Sequence, residues 1–118
     1  MAQSKKDLMT VVFQCDARDM YVRKSIYIAG NLQELGNWTP NKVRMYDDGT
    51  HGDQTPGDSI WTLELKVPVG TEIEYKYTNS GAEGGWNPGE EFPSLSRRIK
   101  VEKTELGKIV LLDKFGKI

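Results

Sequence analysis

One segment constrains the fold more than any other: residues 60–67 alternate without a break. Trp61, Leu63, Leu65 and Val67 share one face, and Thr62, Glu64 and Lys66 share the other. Successive side chains of an extended chain point to opposite sides, so this pattern fits a half-buried strand and no helix. Residues 72–78 repeat it, with Ile73, Tyr75 and Tyr77 set against Glu72, Glu74 and Lys76. The short turn Pro68-Val69-Gly70 between the two runs predicts a β-hairpin. Met9, Val11, Phe13 and Cys15 fall on one face of an earlier run, and Ile26 and Ile28 on one face of residues 25–30. Residues 42–46 read as a short strand, and 97–101 and 108–112 as the last two. Helical periodicity is absent; Leu32 and Leu35 allow a single turn at most.

About seven short strands with turn residues between them predict an all-β, immunoglobulin-like antiparallel β-sandwich. A length of 118 residues suits one domain, 1–118, with its core at roughly 8–112. A fold of this kind hosts many activities, so function has to be argued from particular residues.

Several classes are disfavoured at once. A formal net charge of −1 gives no general field for nucleic acid or anionic membrane. No apolar run approaches the length of a membrane-crossing helix. The opening residues MAQSKKDL lack the apolar stretch of a signal peptide, so either the protein is cytoplasmic, the slightly favoured reading, or a signal has been removed. Cys15 is the single cysteine and sits in an apolar run, so it reads as a small buried hydrophobe.

Three tryptophans divide into two kinds. Trp61 lies on the apolar face of a strand and is expected in the core. Trp38 and Trp86 lie in loops, within Gly36-Asn37-Trp38-Thr39-Pro40 and Gly85-Trp86-Asn87-Pro88-Gly89. Each either packs down as a plug under its own loop or stands out as a flat platform. A platform matches the C–H face of a sugar ring, while polar neighbours match its hydroxyl rim. By analogy with base stacking, each is worth roughly 1–3 kcal/mol. Lys76 points outward between Tyr75 and Tyr77, either as an ordinary solvated lysine or as a hydrogen-bond donor to such hydroxyls.

Three strings taken together resemble the starch-binding domain of carbohydrate-binding module family 20. They are Ile26-Tyr27-Ile28-Ala29-Gly30-Asn31 running on to Leu35-Gly36-Asn37-Trp38; the stretch from Val67 through Glu74-Tyr75-Lys76-Tyr77; and Gly85-Trp86-Asn87 followed by Arg97-Arg98-Ile99. The resemblance implies a non-catalytic module that binds α-1,4-glucans such as starch, glycogen, maltooligosaccharides and cyclodextrins. It implies a main site made of Trp38, Lys76 and Trp86, with Asn87 and Glu91 as candidate further contacts where the alignment is ambiguous. It also implies a second site built on tyrosines, for which Tyr21 and then Tyr46 are the candidates. The expected partner is an α-glucan, with the domain either free or carried by a larger amylolytic or glycogen-handling enzyme.

Two other readings stay open. The loop 47–59 gathers Asp47, Asp48, Asp53 and Asp58 among glycines, around His51. Calcium takes several carboxylate and carbonyl oxygens, so Asp48, Asp53 and Asp58 are candidate ligands of a calcium-dependent interaction domain. The spacing is not that of an EF-hand, and a solvated turn held by Asx hydrogen bonds explains the same residues. The glucan reading requires no cofactor. A small glycoside hydrolase would need two carboxylates facing each other across a cleft.

Overall fold

The computed structural model describes residues 7–86, 89–92 and 95–117. Seven strands follow one another: β1 (Leu8–Asp16), β2 (Ile26–Gly30), β3 (Val43–Arg44), β4 (Ile60–Pro68), β5 (Glu72–Asn79), β6 (Arg97–Lys100) and β7 (Lys108–Lys114). They form two sheets, ordered β4-β1-β7 and β3-β2-β5-β6. The all-β sandwich expected from the alternation is the architecture found.

The alternating faces explain the core. Met9, Val11, Phe13 and Cys15 of β1 are buried and meet Ile26 and Ile28 of β2 and Ile73, Tyr75 and Tyr77 of β5 from the opposite sheet. Phe13 meets the Tyr75 ring edge-on at 5.0 Å. Burying aromatic and branched side chains stabilises by about 1.5–3 kcal/mol each. Trp61 packs against this cluster, as its strand position predicts.

Two expectations about pairing are corrected. β4 and β5 do not form a hairpin: β4 pairs with β1, and β5 with β2 and β6, so the Pro68–Thr71 connection carries the chain from one sheet to the other. Alternation fixes which face of a strand is apolar, and both strands satisfy it by facing the same core from opposite sides. Val69 and Gly70 donate to the carbonyls of Asp7 and Val101 instead of closing a hairpin turn. The sandwich is also not wholly antiparallel, because β1 and β7 run parallel, with Phe13 opposite Leu111.

The loop after β5 is less irregular than its glycines and prolines imply. Residues 89–91 extend the sheet beside the end of β5: Asn79 N–H donates to the Gly89 carbonyl, Thr78 bridges Glu90, and Glu91 N–H donates to the Tyr77 carbonyl. This pairing decides where the acidic side chains of the loop go.

Candidate functional site

Trp38 ends a 3-10 segment, Gln33–Trp38, that follows β2. Leu35 in this segment is fully buried and packs on Gly30, where a Cβ would come within 2.6 Å of the Leu35 side chain and 2.5 Å of the Glu74 carbonyl. With Leu35 anchored, the chain reverses through a left-handed run in which Asn37 and Trp38 have φ of 49° and 67°. That conformation costs an L-residue on the order of 1–2 kcal/mol. The turn is closed by Asn37 N–H to the Leu32 carbonyl and Thr39 N–H to the Gly36 carbonyl, both at 3.0 Å. The anchor is therefore the leucine, and the tryptophan stays outside the core cluster.

Trp86 comes from the loop after β5, and the two loops meet. The indoles stand 6.5 Å apart between centroids with a 50° angle between planes. Neither ring belongs to the core cluster, and both are partly buried.

Lys76 completes the arrangement in an unexpected way. It is only 7% exposed, whereas an ordinary outward strand lysine would be solvated. Its Nζ donates to Glu90 Oε2 at 2.7 Å and to the Phe92 carbonyl at 2.6 Å, and lies 5.2 Å from the Trp86 ring centroid. An ammonium has three hydrogens, so one remains for another acceptor. The segment 89–92 has folded over the lysine and supplied its counter-charge.

Glu91 is placed far from the role of a sugar contact. Its side chain is completely buried, salt-bridged to Arg97 at 2.9 Å, and its oxygens also accept from the backbone N–H groups of Tyr77 and Gly116. Arg97 lies beside Asp113 as well, and Asp113 accepts from the hydroxyls of Tyr75 and Tyr77. Pairing of residues 89–91 with β5 turns Glu90 toward Lys76 and Glu91 toward this internal network. Asn87 lies outside the described residues.

The two tyrosines are not brought together. Tyr21 is 79% exposed and edges a groove of about 380 Å³ lined also by Arg23, Asn79 and Ser80. Tyr46 takes no part in that groove. One face of its ring is stacked on His51 at 3.6 Å, with the Arg44 guanidinium 4.9 Å from the ring centre. The residue the sequence reading missed is Asn41. It is buried and bonds to Thr78, Gly81, Ala82 and Gly85, so it ties the loop of Trp38 to the loop of Trp86. A polar residue directly after Pro40 looks like ordinary loop sequence, and no spacing signal distinguishes it.

In the aspartate loop, the carboxylates that converge are those of Asp47, Asp53 and Asp58, with oxygens within 4.8 Å of one another. Asp48, expected in the cluster, instead accepts from Thr50 in an Asx turn. Three carboxylates supply part of the six to eight oxygens calcium takes. Each also accepts a backbone N–H: Asp47 from Ser59, Asp53 from Gly49 and Asp58 from Ile60. Burial pushes the Asp47 carboxyl above its ordinary range, with Asp58 and Asp53 adding to the rise and the Ser59 N–H opposing it. A raised carboxyl favours the protonated fold, so the ionised form weakens the protein as pH rises above the usual carboxylate range. Asp47→Asn, which still accepts from Ser59, is therefore expected to raise Tm at pH 7 in chelating buffer, with the gain vanishing near pH 4. Thermal melts across pH check this. A variant less stable than the parent only when calcium is added would place a cation in the cluster instead.

The chain matches the family model described as "Starch binding domain", CBM_20, over residues 8–105. It is 34% identical over 96 residues to an alpha-amylase of Streptomyces violaceus, covering 80% of this chain and 14% of that protein. It is 32% identical over 88 residues to a cyclomaltodextrin glucanotransferase of Paenibacillus macerans, covering 69% and 12%. The chain thus spans about a seventh or less of the curated relatives it matches. Among solved structures, a family 20 module of the maltotetraose-forming amylase from Pseudomonas saccharophila superposes with TM-score 0.53 at 23% identity, over 90% of this chain and 99% of that one. A glucoamylase from Hypocrea jecorina superposes with TM-score 0.67 at 19% identity, over 97% and 18%. These two likenesses concern the fold.

Proposed function

Because the chain belongs to the starch-binding domain family, carbohydrate-binding module family 20, we propose that it binds α-1,4-glucan on the paired indoles of Trp38 and Trp86 without cleaving it. The observation that carries this reading is the pair itself, 6.5 Å apart and inclined at 50°. Successive glucose units of an α-1,4 chain curve, so two inclined platforms suit them better than one flat strip would. The Lys76 ammonium, held at the foot of Trp86 by Glu90, keeps one N–H for a sugar hydroxyl. Two stacking contacts of roughly 1–3 kcal/mol each sum to at most about 6 kcal/mol, so binding is expected to be modest, with a dissociation constant of about millimolar and no tighter than some tens of micromolar.

The carboxylates near the indoles are unsuited to hydrolysis. A glycosidase needs one carboxyl as acid and a second as base or nucleophile across the bond. Here Glu90 is paired with Lys76, and Glu91 is enclosed with Arg97. The module is expected to be retained on insoluble starch, released by soluble β-cyclodextrin, and not retained on cellulose, with no reducing sugar formed. Equal retention on cellulose, or release of reducing sugar, would remove the proposal.

A further inference from the structure

We infer that Asn41 is the positioning residue of the glucan site: it touches no sugar, but its side-chain amide sets the spacing and tilt of the two indoles. The inference rests on the reading that those indoles are the binding surface. Asn41 follows Trp38 by three residues and is 5% exposed. Its φ of 58° is left-handed, a region that Asn tolerates better than most residues. That conformation aims the amide across the gap between the loops. Oδ1 accepts from Thr78 Oγ1 at 2.7 Å and from Gly81 N–H at 3.1 Å. Nδ2 donates to the carbonyls of Ala82 at 3.2 Å and Gly85 at 2.8 Å. A primary amide offers two acceptor positions and two donors, and all four are used.

Each partner matters to the geometry. Thr78 is on β5, two residues beyond Lys76, so the clip is fixed to the sheet. Gly85 immediately precedes Trp86, so holding its carbonyl restrains the indole that follows. The Pro40 carbonyl reinforces the clip by accepting from Gly84 N–H at 2.9 Å. Gly81 must lack a side chain here, because a Cβ would lie 2.5 Å from Asn41 Nδ2. One residue of the Trp38 loop therefore holds three residues of the Trp86 loop and one of the sheet. No other polar side chain among the described residues joins these two loops.

Asn41→Asp separates positioning from folding. It keeps an acceptor for Thr78 and Gly81 but sets a carboxylate against the Ala82 and Gly85 carbonyls. Gly81→Ala opens the same clip from the other side without altering Asn41. Two indoles this close couple their electronic transitions, and the resulting circular-dichroism couplet depends on their distance and tilt. The unliganded couplet is expected to collapse in both variants, and affinity for maltoheptaose to fall by about tenfold or more, a free-energy change of the size of one lost buried hydrogen bond. Val11→Ala, in β1 of the other sheet, is the structural reference: it opens a cavity in the core away from the clip, lowering Tm while leaving the couplet intact. A preserved couplet with unchanged affinity in Asn41→Asp and Gly81→Ala would overturn the inference, as would a couplet lost equally in Val11→Ala. The couplet is read without ligand, so failure of the parent protein to bind maltoheptaose would count against the glucan reading and leave the clip measurable.

Discussion

Trp86→Ala is expected to weaken maltoheptaose binding by about 10–100-fold while leaving Tm nearly unchanged. The range is that of one stacking platform, roughly 1–3 kcal/mol. Fold stability should survive because the indole stands outside the cluster built on Phe13, Ile28, Tyr75 and Tyr77. Trp38→Ala should act similarly, and the comparison is clean because alanine carries a comparable cost at the left-handed position. Trp86 should be the more damaging loss, since its ring also lies over the Lys76 ammonium. The double variant should lose measurable binding. Isothermal titration with maltoheptaose and a thermal melt of each variant separate affinity from folding. Large losses of Tm in either single variant would show that the rings support the interior after all.

Glu91→Ala is expected to do the opposite: to cost about 3–5 kcal/mol of stability with little effect on affinity in whatever protein remains folded. Breaking a buried pair by deleting one partner leaves the other charge uncompensated, and that penalty is of this size. Arg97 would lose its closest carboxylate, and the N–H groups of Tyr77 and Gly116 would lose their acceptor. Arg97 would keep only the longer contact to Asp113, at 3.5 Å, and two backbone carbonyls. For a domain of this length the loss amounts to roughly 10–20 °C in Tm. Urea unfolding measures the stability directly. A variant with parental stability and weakened glucan binding would return Glu91 to the sugar surface.

The contrast between Glu90 and Glu91 shows where sequence reading stopped. Strand alternation placed β1, β2, β4 and β5 and their apolar faces, because a period of two is recorded in every side chain of a strand. It left strand partners undetermined, since a strand facing the core from either sheet has the same pattern; hence the hairpin that does not form. The indoles at 38 and 86 were legible because a tryptophan among glycines, asparagines and prolines has no strand to bury it. Their supports were not legible. Glu90 and Glu91 sit side by side in a loop, and only the pairing of residues 89–91 with β5 sends one to Lys76 and the other to Arg97. Asn41 depends on a left-handed backbone position and on a loop some forty residues away, neither of which leaves a local signature. The Asp48 assignment failed for a related reason. An Asx turn with Thr50 draws its carboxylate aside, and Asp47, its neighbour, turns inward to meet Asp53 and Asp58.

Glucose rings are expected to lie on two particular indoles and to leave the third alone. The three indole N–H resonances, assigned by substituting each tryptophan in turn, can be followed while maltoheptaose is added. The Trp38 and Trp86 signals should move together along one binding curve, with that of Trp61, packed partly buried against the core, holding its place. Movement of only one loop indole, or of neither while binding is detected by calorimetry, would contradict that expectation.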